Sequence, residues 1–217
     1  MPQTLVGGAP VSTQVLKIAL THGPRVVAVD GGADTLLAAG VMPDLVVGDL
    51  DSISGTARDA YADRLHHIAE QDSTDFAKAL RTSPAPFSIG VGFIGARVDH
   101  FLSVLTELAR TRARVLLLGE EDCLCILPPR LSLDLDPGTR VSLWPVGPAR
   151  GVSTGLEWPI EGLAFGPGTR TGTSNAATGP VTLDVEGTMA LILPAAELPS
   201  LIAALTSAPR PGGVAPL

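Results

Sequence analysis

Leu45-Val46-Val47-Gly48-Asp49-Leu50-Asp51-Ser52 runs from three apolar residues into a glycine and two carboxylates one residue apart. A short apolar run closed by a turn signal reads as a strand buried on both faces. The same pattern recurs on either side. Residues 4–6 lead into Gly7-Gly8, residues 26–29 end at Asp30-Gly31-Gly32, and residues 88–93 and Val115–Leu118 form two further runs. Helical stretches fall between them at residues 12–20, 33–39, 76–81 and 98–110, the last with Phe101, Leu102, Leu105 and Leu108 at helical spacing. Such alternation predicts a mainly parallel, Rossmann-like α/β domain with its sheet covered on both faces.

The character changes near Leu127-Pro128-Pro129. Leu131-Ser-Leu-Asp-Leu, Val141-Ser-Leu-Trp, Val181-Thr-Leu-Asp-Val and, more loosely, residues 189–193 alternate polar with apolar positions. Asp136-Pro-Gly, Gly166-Pro-Gly and Glu186-Gly187 supply turn signals between them. This half reads as a small antiparallel β-sandwich. The expected organisation is an α/β domain over residues 1–128, a β-sandwich over 129–194, and a short helix with a flexible tail over 195–217.

Of the 217 residues, 45% are hydrophobic and 17% charged, which supports a sizeable core and argues against disorder. Mean hydropathy of +0.33 is high for a soluble monomer and suggests a surface covered by a partner. A net charge of −7 with no cluster of Lys or Arg gives no footprint for nucleic acid. The apolar runs are too short to span a bilayer, and the N-terminus lacks the basic start and long apolar stretch of a signal peptide, so a cytoplasmic location is expected. Cys123 and Cys125, without further cysteines or a neighbouring His, read as buried structural residues on one face of a strand rather than as zinc ligands.

In open α/β sheets, ligands bind beyond the carboxyl ends of the strands, and three acidic motifs fall there. Asp30-Gly31-Gly32 suits close approach of backbone to an anion at a helix start, though an ordinary strand–helix turn has the same composition. Asp49 and Asp51, taken as alternate residues of an extended segment, project the same way and form a pincer for a hard cation such as Mg²⁺. The competing reading makes one of them a helix cap. In Gln71-Asp72-Ser73-Thr74-Asp75, capping accounts for Ser73 or Thr74 but not for both aspartates. Arg97 offers a planar fork for a phosphate oxygen, with Asp99 to orient it. Lys78 reads as a solvated lysine and His100 as a helix-packing residue. Gly90-Val-Gly92-Phe-Ile-Gly95 fits the dinucleotide fingerprint, but residues 85–89 are a poor central strand, Glu107 at the distance of a ribose-binding acid falls mid-helix, and Glu120, after a good strand, lies later than the pattern prefers.

In order and spacing, Asp30-Gly-Gly-Ala, Met42-Pro-Asp-Leu-Val-Val-Gly-Asp-Leu-Asp-Ser52, Asp72-Ser-Thr-Asp-Phe76 and Arg97-Val-Asp-His100 resemble the thiamine pyrophosphokinase family. Thr154-Gly-Leu-Glu-Trp-Pro159, Leu163-Ala-Phe-Gly166 and Thr173-Ser-Asn175 are similar to its thiamine-binding β domain. The resemblance implies a homodimer whose clefts lie where the α/β domain of one chain faces the β domain of the other, with ATP as co-substrate, Mg²⁺ as cofactor, and thiamine diphosphate and AMP as products. It assigns Asp49, Asp51 and Asp75 to catalysis and the metal, and Gly31, Gly32, Arg97 and Asp99 to the nucleotide. Gln71, Trp158, Ser174 and Asn175 fall to thiamine, with Trp158 stacking on the cationic ring. Trp144, on an alternating strand, is expected in the core. The chain departs from the family pattern at Asp34, where Asn is common, at Ala96, where Gly is common, and in a longer C-terminal extension.

The chemistry so implied is in-line attack of the thiamine hydroxyl on the β-phosphorus, with an aspartate, Asp75 by choice, taking the proton. Three rival readings are a pyrophosphokinase for another hydroxymethylated heterocycle such as a pterin, a nucleotide-binding oxidoreductase, and a non-catalytic sensor of thiamine or nucleotide.

Overall fold

A computed structural model describes residues 1–95 and 97–211. Ala96 and the last six positions of the expected tail lie outside the described residues. The chain divides into two compact units, one of residues 1–107 and 117–120, the other of residues 108–116 and those from 121 onward.

In the first unit the elements are β1 (Gln3–Val6), α1 (Thr13–His22), β2 (Arg25–Val29), α2 (Gly32–Ala38), β3 (Leu45–Gly48), α3 (Gly55–Ala60), β4 (Leu65–His67), α4 (Asp75–Thr82), β5 (Ser88–Val91) and most of α5 (Val98–Arg110). Strand β1 pairs parallel with β5, and β2, β3 and β4 form a second parallel run in that order. The parallel expectation holds, and β1 and β5 are buried along their whole length. Of residues 85–89, only Ser88 and Ile89 belong to β5, a buried strand despite Ser88. That serine and Gln3 are buried as a satisfied polar pair: Gln3 Nε2 donates to Ser88 Oγ at 3.0 Å and to Ser83 O at 2.7 Å, and Ser83 Oγ donates back to Gln3 Oε1 at 2.6 Å. On α5 the buried residues include Val104, Leu105, Leu108 and Ala109, while Leu102, which the spacing places inward, is exposed. The buried stripe keeps Leu105 and Leu108 of the expected set and takes in Val104 and Ala109 in place of Leu102.

Strand β6 (Val115–Leu118) falls at the division between the units. The second unit then holds β7 (Asp122–Ile126), β8 (Arg130–Leu133), β9 (Arg140–Leu156), β10 (Gly172–Pro194) and α6 (Leu198–Ser207). Strand β7, which the residue pattern leaves with the first domain, pairs antiparallel with β10 over residues 190–194. Two long bent strands make the sandwich. The later part of β9 and β8 flank the middle of β10, while the early part of β9 pairs with both the start and the end of β10. The bend lies where Pro145 and Pro148 interrupt β9, opposite Gly187. Gly187 has φ +96°, and a Cβ there would stand 2.1 Å from the Pro148 carbonyl oxygen. Glu186-Gly187 is accordingly a bulge inside one 23-residue strand, not a turn between two strands. Leu131, Leu143, Leu183 and Leu191 fill the interior. Trp144 is not among them: it is 39% exposed, a correction to its expected core position. Cys123 and Cys125 are free and buried on the same strand, as their spacing implies.

Candidate active site

Within the first unit, a cleft of about 740 Å³ opens at the carboxyl ends of β1, β2, β3 and β5. Glycine or aspartate follows each of β1, β2 and β5 directly, and glycine closes β3, where the backbone turns into the next element at close quarters. Gly7 and Gly8 follow β1, and Gly92 follows β5 with φ +74°. Gly7 N–H bonds Val91 O at 2.8 Å and Ala9 N–H bonds Gly92 O at 3.0 Å, fixing these two loops to each other.

The acidic centre depends on a backbone feature that the residue pattern does not announce. Leu50 is in the left-handed region, φ +62°, with its side chain buried and its carbonyl held by Arg58 Nη2 at 2.5 Å. Asp49 and Asp51 are therefore not alternate residues of an extended strand. The chain turns back, and Asp51 N–H reaches Asp49 Oδ1 at 3.3 Å. The carboxylates still converge, with a different third partner. One oxygen from each of Asp30, Asp49 and Asp51 lies within 4.8 Å of the others.

Asp30 ends β2 with φ +45° and is 8% exposed, and its Oδ1 is buried without a hydrogen-bond partner. Burial, with the negative charge of Asp75 adding to it, pushes its carboxyl above the usual range. An orphaned buried oxygen beside two further carboxylates is the donor set that a hard divalent cation requires. These residues fit such an ion.

Asp75, the third ligand expected from the resemblance, is engaged otherwise. It opens α4 behind the Thr74 cap, whose Oγ1 accepts Ala77 N–H at 3.1 Å. Its Oδ1 accepts Asp49 N–H at 3.2 Å and the Lys78 ammonium at 2.9 Å. Gly48 leaves room for the approach: a Cβ there would stand 3.0 Å from Asp30 Cβ and 3.3 Å from Asp75 Cγ. Lys78 is 1% exposed, not solvated. Burial works against its charge, yet the Asp75 hydrogen bond and the charges of Asp75, Asp49 and Glu70 outweigh it and hold its pKa above the usual value.

Gln71 Nε2 donates to Asp49 Oδ2 at 3.0 Å, and this bond is the main reason the Asp49 carboxyl sits below its usual range. Arg97 and Asp99 bind each other, Nε to Oδ1 at 3.1 Å and Nη2 to Oδ2 at 2.5 Å, both exposed, which lowers Asp99 to about 2. Arg97 and His100 line the cleft, and His100 is exposed rather than packed. Asp34 also lines it, and both its oxygens accept from Ser54, the amide at 2.9 Å and the hydroxyl at shorter range. The two glycines of the Asp30 motif differ. Gly31 faces the cleft, whereas a Cβ on Gly32 would stand 1.8 Å from the Val6 carbonyl oxygen, so Gly32 serves packing against β1. Gly92 and Gly95, φ +74° and +99°, lie in the loop ahead of α5 rather than opening a helix, so the G-x-G-x-x-G match is not a dinucleotide turn.

In the second unit, Trp158 is 57% exposed. Asn175 is buried and spends its amide on that residue's backbone: Trp158 N–H to Oδ1 at 3.1 Å, and Nδ2 to Trp158 O at 2.7 Å. Ser174, φ +63°, donates its amide to Ser142 Oγ at 2.9 Å. Asn175 thus presents Trp158 rather than facing a ligand with its own amide.

Asp30, Lys78 and the Gly7-Gly8 loop are the cleft residues missed as functional from the residue pattern. A strand-end acid followed by two glycines was a signal for Asp30. A lysine one turn after Asp75 was a weaker one for Lys78.

Residues 16–117 match the family described as thiamin pyrophosphokinase, catalytic domain. Thiamine pyrophosphokinase 1 of Oryza sativa subsp. japonica is 27% identical over 154 residues, covering 61% of this chain and 58% of the relative. Thiamine pyrophosphokinase of Bacillus subtilis (strain 168) is 34% identical over 113 residues, covering 48% and 53%. The chain spans under two thirds of the length of these relatives. The crystal structure of thiamin pyrophosphokinase from Geobacillus thermodenitrificans superposes with a TM-score of 0.76 at 26% identity, over 89% of this chain and 97% of that one. By sequence over residues 16–117 and by fold, the chain is similar to thiamin pyrophosphokinases.

Proposed function

We propose that this protein transfers the pyrophosphoryl group of ATP to the hydroxyl of thiamine, giving thiamine diphosphate and AMP. The observation that carries the proposal is the convergence of Asp30, Asp49 and Asp51 on a glycine-rimmed cleft, with one Asp30 oxygen buried and unpartnered. Asp30 joins Asp49 and Asp51 as holders of Mg²⁺. When bound, the ion neutralises triphosphate oxygens and orients them for in-line displacement.

The chain's own groups do the rest. Gly31 and the Gly7-Gly8 loop give backbone access to the phosphates, and Arg97 turns from Asp99 to a phosphate oxygen. Lys78 adds a fixed positive charge behind Asp75. Both hydrogen bonds to Asp75 use Oδ1, which leaves Oδ2 to take the thiamine hydroxyl proton as the hydroxyl oxygen bonds to the β-phosphorus. The bond from that phosphorus to the bridging oxygen breaks, and AMP leaves. Gln71 contacts thiamine from the α/β side. Trp158, set by Asn175 beside Ser174, stacks on the cationic ring. By family resemblance the working form is a cytoplasmic homodimer in which Trp158 comes from the other chain. Among the described residues no helix is long and apolar enough to cross a membrane.

Incubation of purified protein with ATP, Mg²⁺ and thiamine, with products identified by mass, tests this. Thiamine diphosphate and AMP in equal amounts are expected. Product from a hydroxymethyl pterin but not from thiamine would overturn the substrate, and absence of AMP would overturn the reaction.

A further inference from the structure

Glu70 is not among the residues lining the cleft, yet it shapes the segment that reaches into it. Its Oε2 accepts the N–H groups of Asp72 at 2.8 Å and Ser73 at 3.0 Å. Its Oε1 accepts the Ser73 hydroxyl and, at 2.9 Å, Arg81 Nη2. Arg81 donates from Nη1 and Nη2 to Ser73 Oγ as well, 3.1 Å each. One carboxylate therefore closes the turn across residues 71–73 and ties it to the last turn of α4. Gln71 projects from inside this turn to Asp49 Oδ2, and Ser73, Thr74 and Asp75 line the cleft just beyond it. The Glu70–Arg81 pair is largely exposed, so it adds little to global stability. Its effect is on geometry.

We propose that Glu70 is a positioning residue for the metal site: by closing the 70–73 turn it aims Gln71, which holds the Asp49 carboxylate in the orientation that, with Asp30 and Asp51, receives a divalent cation. The inference rests on the metal reading above and adds to it a residue two steps from the ion. A ligating carboxylate is free to rotate unless a donor fixes it, and loss of such a donor commonly weakens metal binding roughly 10- to 100-fold.

The test reads Mn²⁺ binding by titration calorimetry on the protein without substrates. Wild type, Glu70→Ala, Gln71→Ala and the double variant form a cycle, with Asp49→Ala as the site control. Each single variant should weaken Mn²⁺ roughly tenfold. The double should be no weaker than the weaker single, because both remove the same constraint. Glu70→Gln, which keeps an oxygen for the two N–H groups, should recover most of the affinity. A purely structural role for Glu70 predicts instead that the two losses multiply, to roughly a hundredfold, and that outcome overturns the proposal. Wild-type affinity in Glu70→Ala overturns it too. A wild type that does not bind Mn²⁺ removes the metal reading and this inference together. A coupled cycle in a protein that makes no thiamine diphosphate keeps the positioning role and discards only the reaction.

Discussion

Lys78 Nζ lies 2.9 Å from Asp75 Oδ1, one helical turn away on α4, with the lysine sequestered from solvent and the same oxygen accepting Asp49 N–H. The pair braces the loop that carries Asp49 against the helix. Lys78→Met keeps the apolar stem and removes the charge-assisted bond, at an expected cost of about 2 kcal/mol. Urea unfolding measures this, and turnover should fall further than stability explains. Lys78→Arg, too large for the site, should not restore it.

Gly31 and Gly32 look interchangeable in sequence but answer to different constraints. Gly32→Ala sets a Cβ 1.8 Å from the Val6 carbonyl, a backbone atom that cannot move aside, and should cost about 3 kcal/mol in thermal unfolding. Gly31→Ala meets nothing nearer than 3.6 Å. It should fold normally and weaken ATP binding, since its new methyl group stands in the cleft.

Much of this architecture is legible because its strands are continuous apolar runs. Residues 45–47 and Val115–Leu118 have no alternative as helices of such length. The candidate site is legible as a set of acids at strand ends, and less so as a constellation. Nothing in a leucine announces φ +62° at Leu50, which is set by a buried side chain and a distant arginine. That turn, rather than extended alternation, brings Asp51 toward Asp30. Lys78 reads as solvated because local pattern cannot show which helix face a cleft will cover. Glu186-Gly187 has the composition of a turn, and only cross-strand pairing with Arg150 and Ala149 reveals a bulge.

Trp158 and Asn175 separate binding from scaffolding. Trp158→Ala removes an exposed side chain and should change stability by no more than about 0.5 kcal/mol. Thiamine affinity should drop roughly tenfold if the ring stacks on the cation, and thiamine should quench tryptophan fluorescence in wild type alone. Asn175→Ala strips both hydrogen bonds from the Trp158 backbone and should cost about 2 kcal/mol, lowering thiamine affinity in step.

The cysteines carry a pH signature. Burial pushes the Cys123 thiol up to about 12 from an ordinary value of 9.0, and Cys125 higher still. In the unfolded chain both titrate near 9.0, so from pH 9 upward the unfolded state loses protons that the folded state keeps. Stability should be unaffected by these thiols below pH 9 and fall progressively between 9 and 12. Iodoacetamide at pH 8 should leave both unmodified in the native protein and label both in urea, as read by intact mass. Native labelling at pH 8 would contradict the buried placement.

Three carboxylates gathered around one point store repulsion, and that makes a stability measurement informative about function. In metal-free protein, Asp30 holds a buried oxygen without a partner and faces the charge of Asp75. Asp30→Asn removes that charge with little change in volume, so it should raise the stability of the metal-free protein by about 1 kcal/mol. On the proposed metal reading, the same substitution deletes a ligand. Mg²⁺ should raise the Tm of wild type by mass action and leave that of Asp30→Asn nearly unmoved, while turnover falls roughly a hundredfold. Asp49→Asn and Asp51→Asn, both more exposed, should lose the Mg²⁺ response and turnover alike without that gain in stability, since Asp49→Asn gives up the carboxylate that the Gln71 hydrogen bond favours. Scanning calorimetry with and without Mg²⁺ separates the cases. Asp30→Asn that stays both Mg²⁺-responsive and active would return the third ligand position to Asp75.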